Sequence, residues 1–486
     1  MHQRHRFLAP ALLAAVALAG CATQADRYER PAVAAPAKWN VAAAERGWPD
    51  PRWWTAFGSP ELDDLVARAQ EANHDLRIAA ARVRQARANA AFTTAGLSPV
   101  AGVGLDGDRS KDLAKPAAST FSLGPQVAYE VDLWGRKQDA ADSGSALLLA
   151  SEFDREAVRL QLTADVANAY FTILSINDRL RVAQDNLAVA RRVQDLLVVQ
   201  QQAGRTASLD VERQRSLLAG TEATIPALRQ QRAAARGVLA VLLGSSLEAT
   251  PDPQGSLRAL VVPAARAGVP AQLVERRPDI RRAEAGLMAA NADVGAARGA
   301  MLPNLTLRAL GGAGGGALGA ILGSGGGFYT LASAVAGTVF DGGALRSRVD
   351  LAEAQKVERL EQYRRTVVTS LQEVEDALAG VEQFALQEDL LASSARSARE
   401  AYRITDIRFR AGAESFVNVL DAQRTQLAAD AAIDPVRLAR FTATTTLYRA
   451  LGGGWDGGGA SEDAAPATGA NRTNTKREQD HVLAGQ

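Results

Sequence analysis

The sequence predicts a mixed α and β membrane protein. Four strands contribute to a transmembrane β-barrel that other copies must complete, and long helices continue outside the bilayer. Three observations carry this: an export segment that ends on the only cysteine of the chain, four alternating segments suited to membrane strands, and an internal two-fold repeat.

Residues 1–20 have the layout of an export signal. Arg4 and Arg6 charge the start, Phe7 to Ala19 is apolar apart from Pro10, and Leu18-Ala19-Gly20 precedes Cys21. The apolar stretch is too short to span a bilayer as a helix. The segment resembles a bacterial lipobox, which implies a mature chain that begins at Cys21 with covalent lipid on its sulfur. Ala22 in place of the aspartate that retains lipoproteins at the inner membrane implies outer-membrane sorting. Acyl chains hold a protein at a bilayer by burying methylenes, at about 0.8 kcal/mol each. Residues 21–58 are rich in Ala and Pro and read as an extended arm beyond the lipid.

No later window holds 18 unbroken apolar residues, so a spanning element has to be a strand of a closed barrel. From Phe121 to Leu133, Phe, Leu, Val, Tyr and Val occupy odd positions and Ser, Gln, Glu and Asp even ones. Pro125 interrupts the pattern because it cannot donate to a ladder. The expected strands are about 100–108, 120–133, 303–310 and 328–340, with loops at 107–119 and 311–327. Their lengths approach the roughly 9 to 11 residues that a tilted strand needs to cross a bilayer.

The chain is written twice. Asn73-His-Asp-Leu-Arg matches Arg277-Pro-Asp-Ile-Arg, and Pro99 matches Pro303, at an offset of 204; Ala203-Gly204 matches Ala411-Gly412 at 208. Each half therefore reads helix, two strands, long helix, helix. From Gly135 to Ala203 there is no proline, and Ala169, Ile173, Ile176, Leu180, Ala183, Leu187 and Ala190 step by four and three. Val367, Leu371, Val374, Leu378, Val381 and Ala385 do the same. Such seams predict coiled-coil packing. Gly204 and Gly412 mark left-handed caps, after which Ser208–Gly244 and Ser415–Leu451 return as helices. The expected organisation is a first repeat at 59–250, a connector at 251–270 broken by prolines, a second repeat at 271–455, and a disordered tail at 456–486.

Composition narrows the function. The 486 residues carry a net charge of +1, from 55 basic and 54 acidic side chains, which gives no footprint for nucleic acid. His2 and His5 lie in the export segment and His481 in the tail, leaving His74 alone in the body, so no His/Cys metal cluster forms. No nucleophile stands beside a base, so an enzyme is not expected. Gly314, Gly316 and Gly319 spell G-x-G-x-x-G, but a second strand follows rather than a nucleotide-binding helix, and a surface hairpin loop is the better reading. No cofactor beyond the lipid on Cys21 is expected.

Four strands cannot close a barrel, and open edges are not tolerated in lipid. Two copies would give eight strands and a filled interior; three or four would leave a channel, and geometry does not choose between them.

Several motifs resemble the TolC/NodT family of outer-membrane efflux lipoproteins. They include Tyr129-Glu-Val-Asp-Leu-Trp-Gly-Arg136, Val166-Ala-Asn-Ala-Tyr-Phe171, Arg276-Arg-Pro-Asp-Ile280, Phe340-Asp-Gly-Gly343, Val419-Leu-Asp-Ala-Gln-Arg424 and Leu447-Tyr-Arg-Ala-Leu-Gly-Gly-Gly-Trp455, in the order and spacing of the family. The resemblance implies a homotrimer with a twelve-stranded barrel in outer-membrane lipid and a helical tunnel in the periplasm. It also implies a periplasmic adaptor (membrane fusion) protein and an inner-membrane transporter of the resistance-nodulation-division type. The chain would be the passive exit duct for small molecules or drugs. The resemblance further places a periplasmic gate at Asp421 and Arg424, with Val417 one turn before as an apolar constriction and Asp210 a weaker candidate at the tip of the first half. The bland alternative for Asp421 and Arg424 is a solvated helix face with a local i,i+3 ion pair. A different function, a structural or adaptor coiled-coil lipoprotein, would show one hairpin flanked by compact β domains.

Overall fold

The computed structural model of the chain describes residues 27–33, 36–41, 47–111, 117–264, 267–321, 326–453 and 455. The expected export segment with Cys21, and the tail from 456, lie outside the described residues.

The first half comprises α1 (Pro60–Ala72), α2 (His74–Ala95), β1 (Val100–Ser110), β2 (Ala118–Val131), α3 (Arg136–Gln202) and α4 (Ser208–Leu242). The second comprises α5 (Leu273–Arg276), α6 (Pro278–Gly299), β3 (Asn304–Gly315), β4 (Gly327–Ala336), α7 (Ala344–Arg410) and α8 (Phe416–Ala450). The two long helices have 67 residues each and the two returning helices 35 each. A helix of 67 residues is about 100 Å long. No helix among the described residues is long and apolar enough to cross a membrane.

Local chemistry sets the element ends. Ser59 accepts from the Leu62 amide at 3.2 Å and Asn73 from the Leu76 amide at 3.0 Å, so side chains satisfy the first free amides of α1 and α2. At the hairpin turns Gly204 and Gly412 have φ of 67° and 76°, which a side chain would disfavour. The seam from Ala169 to Ala190 is buried except at half-buried Leu180, and part of it packs on Ile225 and Leu228 of α4. The returning helices run unbroken through Pro226 and Pro435 in their interiors, two unfavourable residues that the heptad reading did not register.

The four strands form one antiparallel sheet in the order β1-β2-β3-β4. Val103, Leu105, Val127, Tyr129, Leu307, Leu331 and Val335 share one face; Asp106, Gln126, Glu130, Thr306, Arg308 and Thr330 share the other. The ladder between β2 and β3 skips from Leu123↔Ala313 to Gln126↔Leu310, which is where Pro125 has no N–H to give. Pairing also runs into the glycine-rich stretches, up to Ser110↔Ala118 and Ala313↔Gly327. Glycine is needed there: a Cβ on Gly312 would lie 2.1 Å from the Leu123 carbonyl oxygen. The alternation therefore understates β1 and β3, because a glycine carries no side chain to show which face it occupies.

The largest core sits where α1 meets α3, α4 and α8. Phe57, Phe171 and Phe441 are fully buried, with ring centroids 4.8 Å and 4.9 Å apart, and Trp53 and Tyr448 close the cluster. This knot fixes the middle of the long helices. The arm is laid along the second half: Arg30 grips Glu284 at 2.6 and 3.0 Å, Trp39 donates to the Gly268 carbonyl at 2.7 Å, and Glu375 accepts from the Asn40 amide at 2.8 Å.

Candidate functional site

The far end of the two hairpins holds the candidate gate residues. Phe416, Val419 and Leu420 of α8 bury themselves against Val193 and Leu197 of α3 and Val211 of α4. That buried stripe turns Val417, Asp421 and Arg424 to the opposite side, as an exposed stripe at helical spacing of four and three. Val417 is half exposed. Among the described residues neither Asp421 nor Arg424 enters an ion pair, so the local i,i+3 pairing does not form and both charges are free. Arg424 lines a groove of about 680 Å³ between α3, α4 and α8, with Asn186, Thr221, Thr224 and Asp434.

Asp210 is placed differently. It pairs with Arg213 at 3.5 Å, and the starts of α4 and α8 make it the counterpart of Asn418 rather than of Asp421 in the repeat. Sequence reasoning missed two further tip residues. Gln214 and Gln423 are fully buried; Gln214 donates to the Ala190 carbonyl at 3.0 Å. Their burial has no sequence signal beyond their place on the apolar stripe.

A second cluster lies at the middle of the molecule, where the connector crosses the hairpins. Arg258 donates to both carboxylate oxygens of Asp434 at 2.9 and 3.0 Å. Its neighbour Ser256 donates to Asp178 at 2.6 Å, and the Arg258 amide donates to the same carboxylate at 3.3 Å. Asp434 and Asp178 are 2% and 1% exposed. Arg437 holds the Leu257 and Arg258 carbonyls and pairs with Glu388 at 2.6 Å. Arg232 reaches Asp252 at 2.8 Å. The connector thus ties α3, α4, α7 and α8 together beside Pro435. Burial raises the Asp434 carboxyl above its ordinary value; Arg258 opposes that rise and Asp178 adds to it.

The geometry is that of a membrane-type sheet with long helical hairpins, and comparison with known proteins gives it a family. The family model for outer membrane efflux protein matches residues 65–245 and 269–453, so the chain belongs to that family, which is one of outer-membrane channels rather than an enzyme family. The chain is 38% identical over 437 residues to the pyoverdine export outer membrane protein OpmQ of Pseudomonas putida, covering 87% of this chain and 93% of that protein. It is 33% identical to the outer membrane protein OprJ of Pseudomonas aeruginosa, covering 92% and 96%. Among solved structures it resembles the outer-membrane channel OprN with a TM-score of 0.83 at 29% identity, over 89% of this chain and 99% of that one. It also resembles CusC, with a TM-score of 0.80 at 27% identity, over 88% and 99%. The chain is an outer-membrane efflux protein that provides an exit route across the outer membrane.

Proposed function

We propose that three copies of the chain close a twelve-stranded barrel and a helical tunnel, and that the assembly is a passive duct for small molecules. The observation that carries this is an imbalance between the halves. The 67-residue helix α3 has 25 buried residues, while α7, its counterpart of equal length, has 11. Among the described residues α3 packs on α2, α4, α6 and α8, whereas α7 packs on α6 and α8, with short α5 and the arm at its middle. If each contact of the first half is repeated by the second, the bare side of α7 takes α2 and α4 of the next copy. β4 then pairs with β1 of that copy, which removes both open edges. Three such steps give a lumen; the relatives' channels and the resemblance stated above support three over four.

In this reading the sheet's apolar face meets lipid and the hairpins extend into the periplasm. Energy comes from an inner-membrane transporter of the resistance-nodulation-division class through a periplasmic adaptor. The names of relatives as export and efflux proteins support this, as does a fold with two hairpins and a barrel-type sheet rather than one hairpin between compact β domains. Cys21 carries the lipid: a Cys21→Ser variant is expected to leave the lipid-modified mass unformed on the N-terminal peptide, and an unchanged acylated mass would refute that assignment.

The gate is placed at the tips. Three copies of the free Asp421 would form a ring of like charge that favours cations, with Val417 as the apolar constriction beside it and Arg424 reaching toward neighbouring helices. Asp210, already paired, has a lesser part. Asp421→Ala is expected to raise single-channel conductance and reduce cation selectivity in planar bilayers. No change in either would sink the gate assignment.

A further inference from the structure

The lumen-side face of the sheet holds a charge that the duct reading does not use. Within the strands, Asp106, Asp108, Glu130 and Arg308 project from the polar face, and only Arg109, at the far end of β1, is charged on the apolar face. Arg308 is the sole cation of the polar face among the described residues. It is exposed and takes part in no ion pair or hydrogen bond. Its direct neighbours across the ladders are Ala128 and Ala332, small residues that leave its side chain free to extend. Glu130, the nearest acidic residue on this face, is engaged by Arg136 at 2.7 Å and Lys137 at 3.7 Å. Asp106 faces Ser122, which faces Gly314, so it stands six residues further along the sheet than Arg308. That is roughly 20 Å along a strand.

We propose that the three copies of Arg308 form a cationic collar inside the barrel, near its periplasmic rim, that draws anionic solutes from the helical tunnel into the outer-membrane pore. This rests on the three-copy reading. Twelve strands spaced about 4.8 Å apart and tilted about 40° enclose a backbone radius of roughly 12 Å, of which an extended arginine spans about half. The guanidinium groups then stand about 10 Å apart, close to the Debye length of about 8–10 Å at physiological salt, so their fields overlap across the lumen. A guanidinium stays charged and offers paired donors that fit carboxylates and phosphates. The collar lies in series with the acidic ring at the tips, so a cation-favouring entrance leads to an anion-favouring exit. The ligand class is compact polyanions and carboxylate-bearing small molecules.

The test uses full-length protein in planar bilayers with inositol hexakisphosphate on the barrel side. The wild-type current is expected to be blocked, with block weakening steeply as salt rises. Arg308→Gln should weaken the apparent affinity at least tenfold, Arg308→Glu should abolish block, and Arg308→Lys should retain most of it. Absence of block in the wild type, or equal block in the Gln and Glu variants, would overturn the collar. Cross-linking in detergent is run on the same samples. A species other than a trimer would show that the three-copy reading has failed, whereas a trimer without charge-dependent block would fail the collar alone.

Discussion

Arg258→Ala is expected to destabilise the folded protein by about 2–4 kcal/mol, because it strands a carboxylate in the centre of the molecule. Breaking a buried pair by removing one partner costs about 3–5 kcal/mol when both ends are buried. Here Asp434 is 2% exposed but the Arg258 side chain is 42% exposed, so water screens one end and the loss falls about 1 kcal/mol below that range. Asp178 adds to the effect because its carboxylate lies close enough to raise Asp434; the backbone amide at 258, which it also accepts, is kept in the variant. The loss is pH-dependent, and its sign follows from the raised Asp434 carboxyl. A carboxyl with a folded pKa above its unfolded value destabilises the fold once the unfolded chain ionises, and the penalty grows until the folded group ionises too. Without Arg258 the rise is larger. The deficit of the variant should therefore be greatest near neutral pH and shrink as pH falls toward the ordinary carboxylate value. Asp434→Asn in the same background should recover much of the loss. Thermal melting of the detergent-solubilised protein by circular dichroism at several pH values checks all three outcomes; a pH-independent deficit that Asp434→Asn leaves in place would show that the pair is not the cause.

This cluster also shows what the sequence could and could not convey. The seams of α3 and α7 are legible because apolar residues at steps of three and four have one use in a long helix. Gly204 and Gly412 are legible because a left-handed turn favours glycine. Arg258 is not: it lies in a proline-broken connector, and its partners are 80 and 176 residues away. Charges in a loop carry no period, so no pattern links them to carboxylates on distant helices. The tip falls between these cases. Asp421 and Arg424 come to notice through a motif. Their freedom from each other depends on side-chain directions that the local spacing does not fix, as i,i+3 neighbours are in reach of an ion pair. Pro226 and Pro435 illustrate the opposite limit, since tertiary packing holds helices through residues that local propensity counts against.

The imbalance between α3 and α7 gives the second large effect. Leu386 and Leu390 are 55% and 62% exposed on α7 in the single chain. Shifted by the 208 residues that relate the long helices, they correspond to Asp178 and Val182 of α3, which are buried and half-buried. Fully burying a leucine contributes about 1.5–3 kcal/mol, so in the proposed three-copy assembly two such residues at each interface make a substantial share of assembly energy. Leu386→Glu with Leu390→Glu would place two carboxylates in that interface, away from Arg437 and Arg440, which Glu388 on the opposite face of α7 already engages at 2.6 and 3.0 Å. A buried unpaired charge costs several kcal/mol, and three interfaces close one ring, so the losses act together. The double variant is expected to lose the trimer completely in light scattering of the detergent-solubilised protein. Helical content by circular dichroism should stay at the wild-type level, because both positions face outward in the protomer. Leu386→Met with Leu390→Met, which keeps apolar bulk, should still assemble. A glutamate variant that remains fully trimeric would show that this face of α7 is not where the next copy packs, and the equivalence of the two halves would no longer predict the contacts between chains.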